Sequence, residues 1–233
     1  MEPYGELTQA SDGNLYGTTY LGGTNDSGTI FKITLSGTLT TLYSFCPQPG
    51  CNDGDEPFGG LVQATNGKFY GTTWGGGSYD FGTVFSLDAG LSPFAQVQPT
   101  SSKEGDQIWI LGQGFRSSSV VKFGGTQATT TTPTSSTFIL ATVPTDALTG
   151  LVTVTTGTTK LTGSKMFRVI PTILKIPNGG SIGTPVPIEG TGLAQTTKVT
   201  FGGVATSAFT VNSDTLVACR AESVTAVPNQ KRV

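Results

Sequence analysis

The sequence contains no histidine. That absence removes Ser-His-Asp and Cys-His nucleophilic catalysis, and histidine-ligated metal sites with them. Charge is scarce as well: 12% of residues are charged, against roughly 25% in an average soluble protein. Thirteen Lys and Arg face fifteen Asp and Glu, for a net charge of −2, with no basic cluster. The electrostatic footprint that a phosphate backbone requires is therefore missing, which argues against nucleic acid as a partner. No apolar run approaches the ~20 residues of a membrane-spanning helix. Nor do apolar residues recur at i, i+3, i+4 and i+7 over a helical length, so the chain reads as all-β. Glycosidic hydrolysis without histidine needs two acids flanking one bond. Asp12, Asp26, Asp80 and Asp88 lie in turns, and no pattern singles out a pair. The expectation is a protein that is not an enzyme and carries no cofactor and no metal.

Glycine and threonine are abundant instead. Threonine favours strands, and glycine supplies turns with positive φ. A length of 233 residues allows two or three small domains. The phrase Leu15-Tyr16-Gly17-Thr18-Thr19 returns as Phe69-Tyr70-Gly71-Thr72-Thr73, and its surroundings return with it. Pro3 pairs with Pro57, Leu7 with Leu61, Gly22-Gly23 with Gly76-Gly77, and Gly28-Thr29-Ile30-Phe31 with Gly82-Thr83-Val84-Phe85, all at a constant offset of 54. A strict period of this size marks stacked units that bury apolar faces against one another. Turn signals divide the first unit into four strand-like runs: Gly5 to Ala10, Leu15 to Tyr20, Thr29 to Leu35 and Leu39 to Phe45. Four antiparallel strands per repeat describe a propeller blade. The second unit repeats three of these runs and departs after Leu87.

The phrases "DGNLYGTT", "GTIFKI", "GGLVQATNGKFYGTTWGGG" and "GTVFSL" resemble the GloVer tandem repeat of bacterial surface and secreted proteins, over residues 3–87. The resemblance implies an exported protein whose repeats come in longer arrays, and it carries over no catalytic residue. Two blades do not close a propeller of four to eight. Either further repeats or neighbouring domains belong to the array, or the two units pair as an open assembly. Met1-Glu2-Pro3 opens directly into a repeat without a charged and apolar leader, which suggests a mature or truncated product.

A second periodicity, with offset 78, relates Gly112-Gln113-Gly114-Phe115 to Gly190-Thr191-Gly192-Leu193, and Val121-Lys122-Phe123-Gly124-Gly125 to Val199-Thr200-Phe201-Gly202-Gly203. Short alternating runs with frequent turns fit a small β-sandwich. Strands are expected at Gln107 to Leu111, Val120 to Phe123, Thr126 to Thr130, Phe138 to Thr142 and Leu151 to Thr155. The expected core is Ile108, Ile110, Val121, Phe123, Ile139, Val152 and Val154. The polar run from Thr129 to Ser136 reads as a surface loop. The phrases "GDQIWILGQGF", "VVKFGG", "STFILATVP" and "TGLVTVTTG" resemble the IPT/TIG domain, an immunoglobulin-like fold, and "PVPIEGTGL" and "KVTFGG" repeat the resemblance. The pattern fails after Ala218, so the second copy is expected to be incomplete and its last ~15 residues poorly ordered. The expected organisation is two blade-like four-stranded repeats at 1–94, a sandwich at 95–169 and an incomplete second sandwich at 170–233.

Candidate sites are few. Cys46 and Cys51 bracket a tight turn and could join in a disulfide, which would favour an oxidising compartment; otherwise they are free thiols in an exposed loop. Cys219 reads as a buried small hydrophobe. Asp53, Asp55 and Glu56 form an oxygen-rich turn that suits Ca²⁺, yet lacks the glutamate of a complete EF-hand loop; a solvated turn between blades is the plainer reading. Tyr20 and Trp74 occupy one repeat position, with Tyr79 in the loop beyond Trp74. Flat rings beside glycine-rich loops can stack on sugars, whereas Tyr16 and Tyr70 read as packing between neighbouring units. Together these features lead to a non-enzymatic, exported modular protein, extracellular or at the cell surface, that adheres, binds or spaces and contacts a glycan or a surface protein. The alternative is an accessory segment of a secreted polysaccharide-degrading enzyme. Immunoglobulin-like folds of this kind also occur in DNA-bound transcription factors, but the missing basic face argues against that role.

Overall fold

The computed structural model describes residues 2–177, 183–201, 203–206 and 208–220, and among these every regular element is a β-strand. The chain divides into two compact units, residues 1–94 and 95–233.

The first unit holds two blades. Strands β1 (Thr8–Gln9), β2 (Leu15–Thr19), β3 (Thr29–Ile33) and β4 (Leu39–Ser44) form one antiparallel sheet in sequence order. Strands β5 (Val62–Gln63), β6 (Phe69–Thr72) and β7 (Val84–Leu87) form the other. Alternation along β2 sends Tyr16 and Thr18 to one face and Leu15 and Gly17 to the opposite one. The Tyr16 face meets the second blade. Its ring stacks on Phe69, the Thr18 hydroxyl donates to the Gly59 carbonyl at 2.9 Å, and the Thr8 hydroxyl donates to the Leu61 carbonyl. Ala10, Tyr16, Ile30, Phe45, Leu61 and Phe69 make the shared core.

The repeated phrase has a steric reason. A β-carbon at Gly17 would lie 2.7 Å from the Phe31 ring, and one at Gly71 2.5 Å from the Phe85 ring. Glycine therefore lets the aromatic of the neighbouring strand lie across the backbone. The last threonine of each phrase closes the following loop: the Thr19 and Thr29 hydroxyls meet at 2.8 Å, and those of Thr73 and Thr83 at 3.0 Å.

Three expectations change here. The second blade has three strands and not four, because residues at the fourth position supply the first strand of the next unit, β8 (Gln96–Gln98). The first strand is only Thr8–Gln9, since Gly5 packs against the backbone of Gly59 and Gly60 instead of continuing a ladder. Tyr70 is not packed between units. It accepts from the Asn66 side chain at 3.0 Å and is exposed, because among the described residues no further blade lies against that face.

The second unit begins with a sandwich. One sheet runs β13 (Thr131–Ser135), β14 (Phe138–Thr142), β10 (Gln107–Leu111), β8. The other runs β12 (Thr126–Gln127), β11 (Val120–Phe123), β15 (Gly150–Thr156), β16 (Thr159–Val169), β9 (Ser101–Ser102), with β9 parallel to β16. All seven expected core residues are at most 1% exposed and lie in one cluster with Phe115, Leu161 and Phe167. The polar run expected as a loop is largely strand β13. It forms the sheet edge, where Pro133 sits at a bulge and costs no ladder bond that the sheet needs.

The second copy pairs β17 (Thr172–Lys175), β18 (Pro185–Thr191), β22 (Leu216–Arg220) and β21 (Phe209–Ser213) in one sheet, with a ribbon of β19 (Thr200–Phe201) and β20 (Val204–Ala205). Cys219 and Arg220 continue β22 past the point where the sequence pattern fails. Cys219 pairs in register with Val186 and is buried beside Ile188 and Val217, and burial pushes its thiol up. The rest of the segment expected to be poorly ordered, residues 221–233, lies outside the described residues.

Candidate functional site

The loop that follows β6 is held by its own backbone. Asp80, at φ 58°, turns its carboxylate back to accept the Gly76 amide at 3.0 Å, and the Gly82 amide donates to the Gly76 carbonyl at 3.0 Å. The equivalent loop in the first blade repeats this geometry through Asp26, at φ 57°, and Gly22. Cys46 and Cys51 are joined in a disulfide, and the Cys51 carbonyl accepts the Gly54 and Gly77 amides at 2.8 and 2.9 Å. The bridge thus anchors one side of the loop. On this frame Trp74 is 73% and Tyr79 83% exposed, with Phe81 exposed beside them.

Tyr20 does not join them. It is half-buried among Tyr4 and Phe58, whose rings lie 5.7 and 6.1 Å away, while Tyr4 and Phe58 stack at 5.1 Å. A hydrogen bond to the Glu56 carboxylate, burial and nearby negative charge push the Tyr20 hydroxyl up. Trp74 and Tyr79 are thus exposed along one loop, and Tyr20 lies in a separate cluster where the two blades meet.

The acidic turn is structural in its contacts. Asp53 accepts the Tyr43 hydroxyl at 2.7 Å and the Cys46 amide at 3.2 Å, and it pushes Tyr43 up to about 12. Asp55 bridges to Gly75 through the backbone, while its Oδ1 is buried without a partner. Burial, followed by the charges of Glu56, Asp80 and Asp53, raises its pKa. Among the described residues, no group of three or more His, Cys, Asp or Glu is placed to hold a metal ion. No helix among them is long and apolar enough to cross a membrane.

Exposed aromatics were missed in the sequence: Tyr4 and Phe58 in the first unit and Trp109 in the second. Trp109 stands on the outer face of β10, opposite Leu140 on β14 and Gln98 on β8, with its ring 6.2 Å from Phe138. The signal was present, since assigning Ile108 and Ile110 to the core forces Trp109 outward.

Blades in tandem followed by immunoglobulin-like sandwiches define a modular, repeat-built β protein. The chain belongs to the Gloeobacter/Verrucomicrobia repeat family, whose model matches residues 1–138, and the IPT/TIG domain model matches residues 171–232. The repeat match runs beyond Leu87 into strands that the structure places in the first sandwich. No curated protein matches the chain. Among solved structures, a surface glycan-binding protein from Prevotella bryantii is 16% identical, with 58% of this chain and 34% of that one covered and a TM-score of 0.36. A Bacteroides ovatus SGBP-B of a mixed-linkage glucan utilization locus, in complex with a mixed-linkage heptasaccharide, is 15% identical over 67% of this chain and 43% of that one, with a TM-score of 0.24. A protein crystallised with a xylogluco-oligosaccharide is 15% identical over 55% and 34%, with a TM-score of 0.34. This chain spans about a third of the length of the Prevotella bryantii protein and of the protein crystallised with a xylogluco-oligosaccharide. With TM-scores below 0.5, none of these likenesses bears on what this chain binds.

Proposed function

We propose that this chain is a non-enzymatic module of an exported protein, acting at the cell surface as a binding and spacing element, with glycan contact through Trp74 and Tyr79. The exposure of those two rings on a loop braced by Asp80 and by the Cys46–Cys51 bridge carries the reading. A flat ring offers a sugar its apolar face at little entropic cost, and neighbouring amides and hydroxyls set the orientation. The disulfide supports an oxidising compartment. Contacts of this kind are individually weak and gain through repetition, because each tethered module raises the effective concentration of the next. Within this reading the chain is organised as 1–94, 95–169 and 170–233, the last two as successive sandwiches.

A glycan array probed with the whole chain, followed by Trp74→Ala and Tyr79→Ala, tests the proposal. Binding to defined oligosaccharides that both variants lose supports it. A blank array for the unmodified protein overturns glycan contact and leaves spacing alone.

A further inference from the structure

The two blades carry equivalent residues in unequal surroundings. Ile30 is 1% exposed, while its counterpart Val84 is 80% exposed. Tyr16 is buried and Tyr70 exposed; Thr18 is buried and Thr72 exposed. All three differences fall on one face, the face by which the first blade receives the second. The opposite face shows the reverse. Leu61, which the second blade presents to the first, is 3% exposed, and its counterpart Leu7 is 52% exposed. The chain therefore displays both halves of an interface whose closed form it already contains between its own blades.

We propose that the open face of the second blade, built from Val62, Tyr70, Thr72 and Val84, binds the Leu7 face of the first blade in a second copy of this chain. The closed interface supplies the contacts. Leu15 of the second copy would lie on Tyr70 as Phe69 lies on Tyr16. The Thr72 hydroxyl would donate to the Gly5 carbonyl as Thr18 donates to Gly59. Tyr4 would approach Trp74 as Phe58 approaches Tyr20. The contact is heterologous, so copies add head to tail, closing a ring or extending a line according to the rotation per copy. The docked copy would cover Trp74 in part, as Phe58 and Tyr4 half-bury Tyr20, so docking and glycan contact share that residue. Asn25, the counterpart of Tyr79, remains exposed although its own blade is covered, so docking leaves Tyr79 open.

Sedimentation velocity of the whole chain from low micromolar to several hundred micromolar tests this. The expected result is an average mass that grows with concentration. Val84→Asp, which puts a charge where docking would bury it, and Leu7→Asp, which does so on the complementary face, each weaken association on the order of 100-fold and leave monomers. Mixed in equal amounts the two variants form a one-to-one pair, since each retains the half that the other lacks. Wild type that stays monomeric, or Val84→Asp that assembles as wild type does, overturns the proposal. So does a mixture of two folded variants that fails to pair. Should Leu7→Asp lose its fold by circular dichroism, wild type against Val84→Asp decides alone. Glycan binding is read separately: Tyr79→Ala keeps the self-association and Val84→Asp keeps the glycan signal, so either idea can fail without the other.

Discussion

Tyr16 and Phe69 stack across the two blades, with ring centroids 4.3 Å apart and planes inclined by 29°. The Tyr16 hydroxyl donates at 3.0 Å to Asp12, which also takes Lys32 at 3.1 Å. Phe69 is wholly buried, whereas Tyr70 beside it in sequence faces solvent. Phe69→Ala is expected to cost about 3–5 kcal/mol, the range for truncating a core aromatic. Tyr70→Ala should change stability by roughly 0.5 kcal/mol or less, as surface substitutions do. Urea unfolding of the two variants measures both, and equal costs would mean that the blades do not share this core.

Reduction of the bridge offers a second test. Closing a loop as short as Cys46 to Cys51 stabilises by about 2 kcal/mol on the chain-entropy estimate. Cys51 also holds Gly54 and Gly77 through its carbonyl. Dithiothreitol should therefore lower the melting temperature of the first unit by several degrees. It should also speed amide exchange at Gly77, while exchange in the sandwich strands stays as it was. Unchanged exchange at Gly77 would show that the loop keeps its form without the bridge.

The sequence made the ladders legible wherever side chains alternate against a single core. Gln107 to Leu111, Val120 to Phe123 and Phe138 to Thr142 fall where that alternation places them. It failed where the partner decides the outcome. Thr131 to Ser135 is polar and contains proline, yet it pairs with β14 because an edge strand needs neither an inward apolar face nor every amide. Tyr16 and Tyr70 open the same Tyr-Gly-Thr-Thr phrase and are opposite in burial, and the placement of the next blade tells them apart. Trp74 and Tyr79 could be singled out as exposed rings on a glycine-rich loop. The split of Tyr20 from them could not, because it depends on Tyr4 and Phe58, which arrive from separate blades.

Glu104 gives the second unit a dependence on pH. Burial, then a hydrogen bond to Asp214 and its charge, pushes the carboxyl up to about 7. Asp214 is buried and accepts the Gly192 and Ala194 amides, both at 3.0 Å. Protonated Glu104 can donate to Asp214, and its Oε1 is buried without a hydrogen-bond partner, which disfavours the ionised form. A folded pKa above the unfolded value stabilises the protein fully below the unfolded value, near 4.5, and the contribution is lost as pH rises through about 7. After discounting for partial exposure, the loss is on the order of 2 kcal/mol. Thermal melts between mildly acidic and mildly alkaline pH should show the second unit weakening as pH rises. Glu104→Gln, which keeps the donor at every pH, should flatten that slope. A slope unchanged in Glu104→Gln would assign the effect to other groups.

The chain has two tryptophans, both exposed and one in each unit, so each can report on its own surface. Trp74 stands on the braced loop of the first unit. Trp109 stands on a sheet face lined by Leu140, Phe138 and Gln98, which also offers a ring beside amide and apolar groups. A sugar stacked on an indole displaces water from it and shifts its emission to the blue. With Trp109→Phe, titration of an oligosaccharide chosen from the array should still produce that shift, and with Trp74→Phe it should vanish. The reverse pattern would move the binding surface to the sandwich. A shift that survives each single substitution at about half its size would mean that both surfaces bind, and affinity for a long glycan should then exceed that for a short one, because one chain can span both contacts.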